Sequence, residues 1–141
     1  MLKPGVVQRR IAGEIIARIE RKGLKIVALK MMTIPKSLAE THYAEHREKS
    51  FFGELVSFIG SGPVVAMVIE GEDAIARVRS LCGATKVDAA LPGTIRGDYA
   101  MHTGLNIIHA SDSGASAERE IGLFFEKSEI CDWKDGNDAW I

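Results

Sequence analysis

With 141 residues, 46% of them apolar and 26% charged, the chain has the size and balance of one soluble globular domain, residues 1–141. That composition excludes a disordered, fibrous or low-complexity chain, and a formal net charge of −1 supplies no overall field to draw nucleic acid. The purely apolar run Val64 to Ile69 is too short to span a bilayer, and Cys82 and Cys131 have no CxxC or CxxH neighbour, so a soluble cytoplasmic protein without a disulfide framework or zinc site is expected.

In chain order, Ile11, Ile15, Ile16 and Ile19 recur at helical spacing up to Lys22, and Gly23 is a helix stop. The run 24–32, "LKIVALKMM", reads as a strand. After Pro35, "KSLAETHYAEHREKS" reads as a helix or helical hairpin with a solvated face, and 51–62 as a helix carrying Phe51, Leu55 and Phe58 and closing on Gly-Ser-Gly. "PVVAMVIEG", 63–71, has the unbroken apolar character of a strand covered on both faces. Residues 72–82 place Ala74, Ile75, Val78, Leu81 and Cys82 on one side of a helix with Arg79 on its flank. From Gly83 to Gly104 periodicity is lost and a long irregular connection is expected, of the kind that carries function. "LNIIHA" reads as a short buried strand, and Ala117, Ile121, Phe124 and Phe125 form the apolar face of a following helix. Trp133 and Trp140 in the tail are expected to pack on the body or on a neighbouring subunit. Helices interleaved with a few strands imply an α/β sandwich with an antiparallel or mixed sheet, one face covered by helices.

Neither GxxxxGK[ST] nor GxGxxG nor HExxH is present. His42 and His46 are spaced i, i+4, which can hold a metal, but no third ligand is indicated and a solvated helix face is the expectation. His109 ends an apolar run and precedes Ser111, Asp112 and Ser113 at a helix start, where free N–H groups can bind anions. Periodicity alone leaves open whether His109 is structural or reactive.

The stretches "NIIHASDS", "SGPVVAMVIEG", "LPGTIRGD" and "SAEREI" settle that expectation: from Lys3 to about Phe125, in one register, the chain resembles nucleoside diphosphate kinases. The resemblance implies a ferredoxin-like antiparallel four-stranded sheet covered by helices, and a homo-oligomer, a hexamer favoured. It implies transfer of the γ-phosphate of a nucleoside triphosphate to a nucleoside diphosphate by a ping-pong route, with His109 as phosphate carrier and Glu120 orienting it. Tyr43 then lies near the transferred group and Lys3 reaches phosphate or sugar; Arg79, Thr85 and Arg96 bind phosphates, Asn106 contacts the sugar and Phe51 stacks on the base. Ser111 matches a hydroxyl that bonds within the site and supports the helix start. Mg²⁺ is expected to arrive on the nucleotide phosphates and not in a protein cage.

Three departures from the family pattern stand out. Only Met1 and Leu2 precede Lys3, so the first strand is expected to be truncated; "KPGVV" replaces the common "KPDGV"; and "HASD" replaces "HGSD". The first two motivate an alternative, a catalytically weak nucleotide-binding or assembly subunit of the same fold, whereas the one methyl that Ala110 adds beside His109 is expected to be tolerated.

Overall fold

The structure is a computed structural model and describes residues 1–137, 139 and 140. Helix α1 spans Ala12–Arg21, with Ile15 and Ile19 fully buried on its inner face, and Gly23 at φ +84° turns the chain out of it. Strand β1, Lys25–Thr33, follows, then α2, Lys36–His42, a single-turn helix Ala44–His46, and α3, Phe52–Ile59. Strand β2, Pro63–Glu70, returns antiparallel to β1, pairing Thr33 with Pro63 at one end and Lys25 with Glu70 at the other, with an irregularity between Ile26 and Ala28. Helix α4, Ala74–Cys82, comes next, then α5, Ile95–Tyr99, and α6, Gly114–Phe124.

Leu2 extends the β1–β2 pair. It forms antiparallel bridges to Val65 on one side and to Ile108 on the other, and the Lys3 N–H donates to the Ile107 carbonyl at 2.8 Å. The sheet order therefore runs β1, β2, Leu2, Ile108, with the last two places held by single-residue bridges among the described residues and not by full strands.

Helices cover both faces of this sheet, which corrects the expectation of one covered face. Val65 feeds a core with Leu2, Val6, Ile15, Cys82, Ile95 and Ile108, whereas its neighbour Val64 feeds another with Ile34, Ala39, Tyr43, Val56, Ile59 and Phe124. Successive strand residues point to opposite faces, so the continuous apolar run of β2 is what a strand between two helical layers requires.

Two further expectations are corrected. Residues 83–104 are not structureless: short helices Val87–Ala89 and Thr103–Leu105 flank α5, whose N-cap Thr94 accepts from the Gly97 N–H at 3.1 Å. Glycine spacing hid this, because at Gly83 (φ +78°) and Gly97 an added Cβ would sit 2.3 Å from Thr94 Oγ1 and 2.1 Å from the Leu91 carbonyl oxygen; here glycine permits packing where it had suggested a loop. "LNIIHA" is not a strand. Ile107 has φ +70° and the Ile108 N–H donates to the Asn106 carbonyl at 2.7 Å, a tight three-residue γ-turn. In the tail, Trp133 packs on the body, donating to the Ile26 carbonyl at 3.0 Å, while Trp140 is 84% exposed and does not. Among the described residues no helix is long and apolar enough to cross a membrane.

Candidate active site

The γ-turn at Ile107 fixes where His109 emerges. Backbone bonds between His109 and Met1, at 2.8 and 2.9 Å, hold the residue beside the sheet, and the chain then enters α6, capped by Ser113 Oγ accepting from the Ser116 N–H at 3.1 Å. The cap is thus Ser113, and Ser111 does not support the helix start as expected. Ser111 turns inward, and its Oγ–H donates to Glu120 Oε2 at 2.6 Å.

Glu120, two turns into α6, reaches back to His109, where Nε2 lies 2.8 Å from Oε2. Burial keeps the imidazole below its ordinary pKa, against the opposing hydrogen bond to Glu120. Burial also acts to raise the Glu120 carboxyl, but the bonds from His109 and Ser111 outweigh it and hold it at about 2. At neutral pH the contact is therefore a neutral imidazole Nε2–H donating to a carboxylate and not an ion pair. Nδ1 is left with its lone pair free.

Beneath His109 sits a residue whose role periodicity misassigned. His42 is not on a solvated face: it is 3% exposed, stands edge-on to His109 with centroids 5.0 Å apart, and also packs on Phe124 and Tyr43. Burial, then the neighbouring His109, lowers its pKa to about 4, so it is neutral. The sign available in sequence was the i, i+3 spacing from Ala39, also buried, which puts His42 on the inner face of α2. One nitrogen of His42, one of His109 and one carboxylate oxygen of Glu120 lie within 4.8 Å of one another, whereas His46, the i, i+4 partner, does not join them.

An aromatic row leads outward from there. His42 meets Tyr43 at 4.6 Å, Tyr43 meets His46 at 6.4 Å, and His46 meets Phe51 at 5.8 Å, with Phe51 44% exposed at the start of α3. Tyr43 is buried, which pushes its hydroxyl up to about 12 and keeps it a neutral donor.

The opposite wall is basic. Arg96, 7% exposed, donates to the carbonyls of Gly83 (2.6 Å), Ile108 (2.7 Å) and Asn106 (3.3 Å), which ties the end of α4 to the γ-turn. Three of its five N–H groups are so used, leaving two. Lys3 Nζ donates to Asn106 Oδ1 at 2.6 Å, and Asn106 Nδ2 points at the Thr85 carbonyl at 3.5 Å. Burial, then the Arg96 charge, lowers Lys3 to about 8. Arg79, exposed on α4, lies 3.5 Å from the Ala110 carbonyl through Nη1. The chain thus brings Lys3, Arg79, Arg96, Asn106 and the Thr85 backbone to the neighbourhood of His109. No hydrogen bond joins the Phe51 row to this wall among the described residues.

Comparison with known proteins agrees with the geometry. Residues 1–130 match the family described as nucleoside diphosphate kinase. The nucleoside diphosphate kinase of Archaeoglobus fulgidus is 60% identical over 141 residues, covering 100% of this chain and 93% of the relative. That of Methanothermobacter thermautotrophicus is 63% identical over 134 residues, 95% of this chain and 89% of the relative. Among solved structures, a halophilic nucleoside diphosphate kinase from Halobacterium salinarum in complex with CDP superposes with a TM-score of 0.96 at 54% identity, covering 99% of this chain and 93% of that one. A whole-chain likeness in sequence, together with the same fold, places this chain in the nucleoside diphosphate kinase family of phosphotransferases.

Proposed function

We propose that residues 1–141 form one catalytic domain that moves the γ-phosphate of a nucleoside triphosphate onto a nucleoside diphosphate through His109. The observation that carries this is the Nε2–H bond to Glu120, which presents Nδ1 as the free nucleophile. The Nδ1 lone pair attacks the γ-phosphorus; the bond from that phosphorus to the β–γ bridging oxygen breaks, and the nucleoside diphosphate leaves with its electrons. Glu120 stabilises the cationic character that develops on the ring through Nε2–H. After exchange of nucleotide, a terminal β-phosphate oxygen of the acceptor attacks the phosphoryl group and the N–P bond breaks, restoring neutral His109.

Phosphoryl transfer asks a protein chiefly for positioning and charge. Arg79, Arg96, Lys3 and Thr85 are the groups we assign to the phosphates, Asn106 to the sugar, and Tyr43 to the transferred group. Phe51, half exposed at the outer end of the aromatic row, is assigned to the base; stacking reads a π-face, which favours broad acceptance of bases. Mg²⁺ would come as part of the nucleotide substrate and would supply neutralisation of phosphate charge there. Among the described residues the one three-ligand group, His42, His109 and Glu120, offers two nitrogens and a single carboxylate, a poor match to a cation that prefers oxygens and retains waters.

A homo-oligomer is supported by exposed Leu29, Met31, Leu91 and Met101, the hexamer being the size the family resemblance favours, and a reducing, cytoplasmic setting by two free cysteines. Convergence of the matched side chains around one nucleophile favours turnover over the weak-subunit alternative. Incubation with γ-labelled nucleoside triphosphate and Mg²⁺ is expected to yield an acid-labile, base-stable phosphoprotein that His109→Gln abolishes. A folded wild-type protein that takes no label would overturn the assignment.

A further inference from the structure

We propose that His42, His109 and Glu120 also form an inhibitory site for a borderline transition-metal dication of the Zn²⁺ class, separate from the Mg²⁺ that travels with the nucleotide. Their three ligand atoms already lie within 4.8 Å of one another. Tetrahedral Zn²⁺ with bonds of about 2.0–2.2 Å sets its ligand atoms ~3.4 Å apart, so the His109–Glu120 contact opens by roughly 0.6 Å and the widest separation closes by at most roughly 1.4 Å. Side-chain rotations supply shifts of that size.

Independent support comes from His42 itself. It is 3% exposed, and its Nδ1 is buried without a hydrogen-bond partner, so no bond from that nitrogen fixes the ring against a small rotation toward a metal. Two imidazoles and a carboxylate are a donor set that suits Zn²⁺ and its neighbours, with the fourth position left to water. The Ser111 hydroxyl, donating to Glu120 at 2.6 Å, orients the carboxylate from the second sphere. His109, the more exposed of the His109–Glu120 pair, with 28% of its side chain accessible against 13%, gives the metal its way in from the cleft.

The consequence for the nucleophile follows from proton balance. Metal on His109 Nε2 displaces the proton shared with Glu120, and that proton passes to Nδ1, because a neutral imidazole carries one. Nδ1 then has no lone pair for phosphorus. Conversely, a phosphoryl group on Nδ1 leaves the proton on Nε2, where a metal would have to bind. Metal binding and phosphorylation therefore oppose one another, and each weakens the other by the same factor.

Metal-free protein without nucleotide, titrated with Zn²⁺ against a chromophoric chelator, is expected to bind one equivalent per chain. His42→Ala and Glu120→Gln should each weaken binding at least ten-fold, while His46→Ala leaves it unchanged. No uptake by the wild type, or undiminished uptake by folded His42→Ala, overturns the site. If His42→Ala does not fold, Co²⁺-loaded wild type decides instead: hyperfine-shifted resonances from two imidazoles support the site, and resonances from one or none overturn it. A further arm rests on the phosphohistidine reading: protein charged with phosphate and freed of nucleotide and Mg²⁺ should bind Zn²⁺ at least ten-fold more weakly, and equal affinity overturns the mutual opposition. Because uptake is read without turnover, intact Zn²⁺ binding in a protein that takes no label faults the phosphohistidine and spares the metal site, and the reverse result does the opposite.

Discussion

At His109 the protein spends one hydrogen bond to choose which nitrogen reacts. Removing the charge of its partner tests that choice: Glu120→Gln preserves shape but weakens a charge-assisted bond worth about 1.5–3 kcal/mol, so kcat should fall roughly 10- to 150-fold with KM little changed, as steady-state kinetics would record. The pH dependence has two sides. His109 must be neutral to attack, and burial holds its pKa below the ordinary histidine value, so the acid limb of kcat/KM should lie below pH 6.5. Lys3 must be charged to meet phosphate, and its pKa is lowered to about 8, so kcat/KM should decline as pH rises through about 8, and Lys3→Gln should remove that limb. Stability responds in the opposite sense. Between about pH 8 and 10.5 the unfolded chain holds a proton on Lys3 that the folded chain has lost, so this group makes the fold more stable as pH rises across that window.

Among the elements, the segment joining α4 to α6 carries the tightest constraints. Thr94 caps α5 and donates its hydroxyl to the Leu91 carbonyl at 2.7 Å, so Thr94→Ala should cost about 1 kcal/mol in denaturant unfolding. Gly83→Ala should cost more, because a Cβ there meets Thr94 in a left-handed backbone. The γ-turn makes a subtler comparison possible. Ile107 and Ile108 are both buried, at 5% and 1% exposure, but only Ile107 holds a β-branched side chain at φ +70°. Its replacement by glycine releases about 1–3 kcal/mol of backbone strain, so Ile107→Gly should destabilise less than Ile108→Gly when both are measured by urea unfolding. The strain is local to the turn that sets His109, and Ile107→Gly should lower kcat as the nucleophile loses its fixed direction.

For the molecule as a whole, the two larger of three apolar clusters among the described residues lie on opposite faces of one short sheet. Ile15 and Ile59 are each fully buried, one in either core, and truncation of each to alanine should cost about 2–5 kcal/mol. With no shared packing partners, the two losses should add to within about 0.5 kcal/mol in the double variant; a larger coupling would mean that the sheet transmits strain between its faces. Arg96 joins the local and global scales, since its guanidinium fastens Gly83 to the 106–108 backbone. Its loss should therefore lower stability as well as nucleotide affinity, whereas exposed Arg79 should affect affinity alone.

Local pattern was enough to determine the helices α1, α3, α4 and α6, because in each the apolar spacing matches the helical period, and the strands β1 and β2, because each is a short apolar run bounded by glycine or proline. Motifs held in one register determined the family and the candidate residues from Lys3 to Glu120. Tertiary structure alone decided the rest. His42 looked solvated because polar residues surround it in sequence, yet the approach of α6 buries it under His109. The 83–104 segment looked irregular because its glycines mark close packing against residues distant in the pattern, and "LNIIHA" looked like a strand because its apolar run cannot reveal a positive φ at Ile107. Periodicity reports which side of an element faces a core; which two elements meet, and what they trap between them, depends on contacts across more than a hundred residues, such as Lys3 with Asn106.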